Sequence, residues 1–265
     1  MGYQHILWSE ADGVATLTIN RPERLNALQG EVCGEMIDAL DRIRDGLSGA
    51  RCLLLTGAGR AFSSGADLAQ GVIGQEQDRP FDIGKSLDAY FNPLIERLFA
   101  LPVPVVTAVN GPAAGAGCSL ALAGDVIVAA RSAYFLQAFV NIGLVPDVGS
   151  TWLLPRLVGR ARAMRMMLLG ERISAEQAVD WGLASFLAED DALAAEAGAI
   201  AAKLANGPTR ALAMVRHGVQ TALHGSFTDT LAMERRNQQA AGRTADFAEG
   251  VAAFLQKRKA DFTGK

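Results

Sequence analysis

Cysteine is scarce. Only Cys33, Cys52 and Cys118 occur, in apolar or helical surroundings, with no close pair and no spacing suited to a metal. This excludes a disulfide framework and a thiolate metal centre, and it reads as structural thiols in a reducing compartment. Histidine is as rare: His5, His217 and His224 are the only three, and no Gly-x-Ser-x-Gly elbow appears. Serine nucleophile chemistry therefore has no evident base, and each histidine reads as a surface or packing residue. An excess of charge is also lacking, with a formal net charge of −3 and a pI near 5.7. Nucleic acid is not expected as a partner. No window reaches the roughly 18 apolar residues needed to span a bilayer, and Met1 to Gly13 has no basic segment leading into an apolar run. The expectation is a soluble cytoplasmic protein with neither membrane nor metal as partner.

What is present is apolar material: 265 residues, 50% hydrophobic and 20% charged, enough to bury a full core as one large domain, alone or with an extension. His5 to Ser9 and Val14 to Asn20 favour β-structure around Ala11-Asp12-Gly13, which predicts a β-hairpin ended by Arg21-Pro22-Glu23-Arg24. Val32, Met36, Leu40, Ile43 and Leu47 recur at helical spacing, and Cys52 to Thr56 is a short apolar run suited to a buried strand. Strand, helix, strand implies a crossover with parallel pairing. The Gly-, Gln- and charge-rich stretch from Ala69 to Pro80 reads as a mobile loop.

A second strand, Gly-rich turn and helix follows. Ile83, Leu87, Phe91, Leu94, Ile95 and Leu98 have helical spacing, Pro102 and Pro104 bracket a break, and Val105 to Val109 is a buried strand. Gly111 to Gly117 then leads into a helix over Cys118 to Ala123, with Val126 to Ala130 the next strand. From Thr151 onward nearly everything reads helical, Ser174 starting one helix and Trp181-Gly182-Leu183 stopping it. The late helices are Ala-rich with few large core residues, which suggests packing against another subunit.

One residue stands apart. Asp147 is the only carboxylate between Val126 and Gly170, set among apolar residues and two glycines. Burying it unpaired costs several kcal/mol or forces it to take a proton. It is either a cap for a helix starting near Ser150 or a functional acid. The Gly-rich turns after buried strands leave backbone N–H groups free, and the second opens a helix whose first amides have no internal partner. Such amides suit an anion, either a phosphate or the oxyanion of a thioester enolate. Gly115-x-Gly117 lacks the third glycine, the Lys-Ser/Thr pair and the downstream acid that nucleotide loops carry. An acid and two backbone donors are the minimum needed to remove a proton beside a carbonyl and hold the oxyanion.

Asn20-Arg21-Pro22 with Leu25-Asn26-Ala27-Leu28, then Phe62 to Leu68, then Val109-Asn110-Gly111 through Gly117-Cys118, resemble the enoyl-CoA hydratase/isomerase (crotonase) superfamily. The resemblance covers nearly the whole chain. It implies an α/β fold, a spiral of ββα units over residues 1–200 with a C-terminal helical trimerisation region over 201–265. It also implies an acyl-CoA ligand, coenzyme A being part of the substrate and no separate cofactor being needed, and a homotrimer or dimer of trimers. By position, the oxyanion-hole amides would be those of Ala66 and Ala116. Coenzyme A would lie near Arg24, Leu25, Ala27, Asp67 and Leu68, with Phe254 and Lys257 reaching a neighbouring subunit's site.

Hydratases of the superfamily carry two glutamates that handle water, and the matching positions here are Ser119 and Phe139. Isomerases place one acid where Asp147 stands. Ser150 replaces a glycine usual in that segment. A narrower resemblance, in Phe91-Asn92-Pro93-Leu94, Thr151 to Arg156, Gly159 to Met164 and Phe262 to Lys265, is to an isomerase branch of phenylacetate catabolism. Its reactions are conversion of ring-1,2-epoxyphenylacetyl-CoA to the oxepin thioester and migration of enoyl-CoA double bonds. The expected activity is therefore acyl-CoA isomerisation, with Asp147 as base. Leu68, Ala114, Leu136, Val140 and Trp152 are candidates for the acyl pocket. The rival readings are hydratase-like activity on another acyl-CoA and a non-catalytic acyl-CoA-binding paralogue.

Overall fold

The computed structural model describes residues 2–68 and 82–265; the stretch from Ala69 to Pro80, expected to be a loop, lies outside them. Strands β1 (Ile6–Ala11) and β2 (Val14–Ile19) form the expected antiparallel hairpin, turning at Asp12 and Gly13, both with positive φ. Helix α1 (Gly30–Arg44) buries Val32, Met36, Leu40 and Ile43 and carries the chain to β3 (Cys52–Gly57), which pairs parallel with β2. Leu47, counted in that apolar stripe, lies beyond the helix end and is 69% exposed.

Gly84–Ser86, a π-turn over Leu87–Phe91 and helix α2 (Asn92–Ala100) form one continuous helical run whose inner face is Phe91, Leu94, Ile95 and Leu98. Strand β4 (Val105–Val109) is fully buried, and β5 (Ala113–Ala114) leads into α3 (Ala116–Ala121), which begins two residues earlier than the expected Cys118. Then come β6 (Val126–Ala130), β7 (Tyr134–Leu136) and a 3-10 turn over Ala138–Ile142.

The C-terminal half departs from the expectation of nearly pure helix. Helix α4 (Ser150–Leu169), kinked at Gly159, is followed by β8 (Arg172–Ser174), α5 (Ala175–Asp180) and β9 (Phe186–Ala188). The two strands are three residues each, too short to show a period of two, and each exists because a distant partner strand is there to pair with it. Ser174 caps α5 as expected, its side chain accepting from the Gln177 amide. The main sheet runs β1-β2-β3-β4-β6-β9, parallel after the hairpin, and a second sheet runs β5-β7-β8. Helices α6 (Leu193–Ala205), α7 (Thr209–Ala222), α8 (Phe227–Ala241) and α9 (Ala245–Gln256) complete the chain.

Arg216 of α7 fastens this tail to the core. Its guanidinium meets Asp125 at 2.6 Å and donates to the carbonyls of Leu98, Phe99 and Leu101 at the end of α2. All three cysteines are buried and unpaired, with their thiol pKa pushed up to about 12 by desolvation. Among the described residues no helix is long and apolar enough to cross a membrane, and no group of three or more His, Cys, Asp or Glu could hold a metal ion.

Candidate active site

Two short parallel pairings build the amide pair. Ser63 bridges Ala113, with the Ala114 amide donating to the Ser63 carbonyl at 2.9 Å. Ala66 bridges Leu28, which donates to Gly65 O and accepts from Asp67 N, each at 2.8 Å. In parallel pairing these bonds use the groups flanking Ala66, so its own N–H points to the opposite side. Ala116 is the first residue of α3, where an amide has no intrahelical acceptor. Among the described residues neither amide donates to a backbone carbonyl. Gly65 and Gly117 make the close approach feasible: a Cβ on Gly65 would stand 2.7 Å from Ala114 O, and one on Gly117 would stand 2.4 Å from Ser63 O.

Both amides border a cleft of about 1610 Å³, larger than the roughly 300–1,000 Å³ of ordinary small-molecule pockets. Asp147 lines the same cleft, with Leu68, Phe139, Leu144, Pro146 and Trp152 among its apolar neighbours. The capping alternative fails: the cap of α4 is Gly149, and no side chain satisfies that helix end. Instead Asp147 Oδ1 is buried with no hydrogen-bond partner among the described residues. Desolvation raises its pKa from 3.8 to about 6.

The other cleft carboxylates are engaged. Asp67 is ion-paired with the nearly buried Arg21 at 3.2 Å, Glu31 accepts from Gln29 Nε2, and Asp82 accepts from Gly84 N. Among the described cleft carboxylates, Asp147 alone is half-buried with one oxygen buried and unengaged, a condition that suits a base.

Its backbone is held in an unusual shape. Val148 has φ +49 and Gly149 φ +79. A β-branched residue in the left-handed region costs about 1–2 kcal/mol and persists only where the surroundings enforce it. Here the Asp147 carbonyl accepts from Ser150 N at 3.0 Å, Ser150 Oγ at 2.8 Å and Ser119 Oγ at 3.1 Å. Ser150 thus supplies the bond that fixes the elbow in a segment where a glycine was expected.

Of the residues singled out from sequence, Ala66, Asp67, Leu68, Ala116, Asp147 and Trp152 meet in the cleft. Arg24, Leu25 and Ala27 do not line it among the described residues: the Leu25 carbonyl accepts from the Ser64 amide, Arg24 is exposed and Ala27 is buried. Phe254, 82% exposed, and Lys257, at the end of α9, lie outside the cleft of their own chain. Ala114, Leu136 and Val140 do not line it among the described residues. The first two are paired across β5 and β7, and Val140 faces outward from the 3-10 turn.

Asp82, Lys85, Ser86 and Tyr90, in the run before α2, form a wall that sequence reasoning missed. The stripe residues Ile83, Leu87 and Phe91 line the cleft beside them, and the polar residues interleaved with that stripe were the available signal. Gly30 makes room for this wall, since a Cβ there would be 2.9 Å from the Tyr90 ring.

A β/α core with a carboxylate of raised pKa and two backbone N–H groups bordering one cleft is the arrangement of an enzyme on the crotonase fold. The Enoyl-CoA hydratase/isomerase family matches residues 9–265, and the chain belongs to that family. It is 48% identical over 263 residues, covering 99% of both chains, to the 1,2-epoxyphenylacetyl-CoA isomerase of Escherichia coli K12. It is 44% identical over 265 residues, the full length of both, to a Rhodobacter capsulatus protein named "Probable enoyl-CoA hydratase". The crystal structure of an enoyl-CoA hydratase from Bacillus anthracis superimposes with a TM-score of 0.92 at 31% identity, covering 99% of this chain and 100% of that one.

Proposed function

We propose that the chain is an acyl-CoA isomerase. The observation that carries this reading is the pairing of one half-buried carboxylate with an unengaged oxygen, Asp147, with the amides of Ala66 and Ala116 in a single cleft. In a 3-enoyl thioester, Asp147 takes the proton from the carbon next to the carbonyl. The electron pair moves onto the thioester oxygen, where the two amides stabilise it, and the double bond migrates as Asp147 returns the proton two carbons further on. One group acting twice needs no second acid. Positions 119 and 139 offer none: Ser119 directs its hydroxyl at main-chain carbonyls, and Phe139 is a buried ring on the cleft wall. That disfavours hydration, which must both deliver and activate water.

The substrate is proposed to be a 3-enoyl-CoA or ring-1,2-epoxyphenylacetyl-CoA, as in phenylacetate breakdown. Opening the epoxide to the oxepin involves no net proton transfer, so there Asp147 would orient or protonate rather than abstract. Coenzyme A is proposed to follow Arg24, Leu25, Ala27, Asp67 and Leu68, with Phe254 and Lys257 of a neighbouring copy completing the site. A homotrimer or dimer of trimers in the cytoplasm fits the exposed Phe227, Val215, Leu255 and Phe254 of the tail.

The test is to offer the pure protein both thioesters and compare specificity constants, with Asp147→Asn alongside. Turnover by the parent and its collapse in the variant, with acyl-CoA binding retained, support the reading. Hydration of crotonyl-CoA at a greater specificity constant, or an Asp147→Asn variant that isomerises at the parent rate, overturns it.

A further inference from the structure

We propose that Ser119 is a positioning residue that locks the base and one oxyanion donor into a single register. The inference rests on the isomerase reading and adds to it a residue that touches neither substrate nor reacting atoms. Ser119 Oγ is fully buried in α3, 3.3 Å from the Gly115 carbonyl and 3.1 Å from the Asp147 carbonyl. The Gly115 carbonyl and the Ala116 N–H belong to one peptide unit. A hydroxyl donated to that carbonyl polarises the unit and makes its N–H a stronger donor to an oxyanion. The same hydroxyl reaches the carbonyl of the residue that carries the base, so its one proton is shared between the two halves of the site.

A bond from a helical serine back to the carbonyl four residues earlier is ordinary helix chemistry. The second contact is not, because it crosses 28 residues of sequence to the elbow at Asp147, Val148 and Gly149. That elbow contains a valine at φ +49 and depends on bonds from outside to keep its shape. Ser150 holds it from the helix that follows, and Ser119 holds it from the helix that bears the oxyanion amide. Neither carbonyl becomes an orphan if the Ser119 hydroxyl is removed. Gly115 O still accepts from Ser119 N at 3.1 Å, and Asp147 O still accepts both bonds from Ser150. Ser119→Ala is therefore expected to fold and to lose alignment rather than stability.

The experiment compares the parent, Ser119→Ala, Ser119→Thr and Asp147→Asn on a 3-enoyl-CoA. Raman difference spectra of a bound saturated acyl-CoA, which cannot isomerise, report the thioester carbonyl directly. For Ser119→Ala the expected result is kcat lower by about tenfold with KM within about twofold and an unchanged unfolding midpoint. The carbonyl stretch of the bound thioester should move toward its solution frequency, and Ser119→Thr should recover both. A kcat within about twofold of the parent together with an unmoved carbonyl band overturns the proposal, as does a loss of kcat that follows a lowered midpoint and that threonine does not restore. Should Asp147→Asn keep full turnover while Ser119→Ala still shifts the carbonyl band, the isomerase base fails and the positioning of the Ala116 donor by Ser119 stands.

Discussion

A methyl group added at Gly65 would lie 3.3 Å from the amide nitrogen of Ala116 and 2.7 Å from the carbonyl of Ala114. The two segments that carry the proposed oxyanion donors are thus pressed together at a position where only hydrogen fits. Gly65 also sits at φ +92, a conformation L side chains rarely adopt. Gly65→Ala is expected to push the Ala66 and Ala116 amides apart and to reduce kcat by about 10²- to 10³-fold, the loss seen on removing one oxyanion donor. Steady-state kinetics on a 3-enoyl-CoA measures this, and a kcat within a few-fold of the parent would show that the amides do not act as a pair.

In its proposed role as base Asp147 must be ionised, and its pKa stands at about 6 because burial disfavours the charge. The specificity constant is therefore expected to rise with pH through about 6 and to level off above 7. A profile of kcat/KM between pH 4.5 and 8.5 checks this, since it reports the free enzyme's essential base. A limb centred near 4 would mean that the carboxylate is solvated in the working enzyme.

The same shift has a thermodynamic sign. A carboxyl with a pKa of 3.8 when unfolded and about 6 when folded binds protons more readily in the native state, so stability falls as pH rises from about 4 to 6 and stays lower above that. Asp147→Asn removes the charge. Allowing for its partial exposure, the variant should gain on the order of 1–2 kcal/mol at pH 8, and the gain should vanish below about pH 4. Urea unfolding at the two pH values measures it, and a variant no more stable at pH 8 would show the parent carboxylate to be already well solvated.

The sequence carried the hairpin, the crossover and the buried strands because each has a local pattern of its own, such as the stripe from Val32 to Ile43 or the apolar run from Cys52. It did not carry β7, β8 and β9, whose three-residue lengths acquire meaning only from pairing with strands far away. The site divides along the same line. Asp147 was visible as a lone acid in an apolar run. The contact between Ser119 and the Asp147 carbonyl was not, because a hydroxyl meeting a main-chain oxygen 28 residues away leaves no spacing to read. Lys85 and Tyr90 were hidden differently: their helix was read for its apolar stripe, and they wall the cleft beside the stripe residues Ile83, Leu87 and Phe91.

Arg216 links the tail to the cleft through a chain of contacts that a single substitution can break. Its side chain is 5% exposed and that of Asp125 is 29% exposed, so removing the guanidinium strands a largely desolvated carboxylate. It also leaves the carbonyls of Leu98, Phe99 and Leu101 without the donor that closes α2. Arg216→Leu is expected to cost about 3–5 kcal/mol in chemical unfolding. Burial already raises the Asp125 pKa against the opposing pull of Arg216, so the loss should be smaller at acidic pH, where Asp125 takes a proton. Adding Asp125→Leu should recover part of the stability and not all of it, because the three carbonyls remain unanswered. Phe99 packs edge-on against Trp152, ring centroids 5.9 Å apart, and Trp152 lines the cleft. The double variant should therefore still show a raised KM for the acyl thioester, and full recovery of both stability and KM would mean that the carbonyl contacts are dispensable and that the single variant's loss came only from the stranded Asp125 carboxylate.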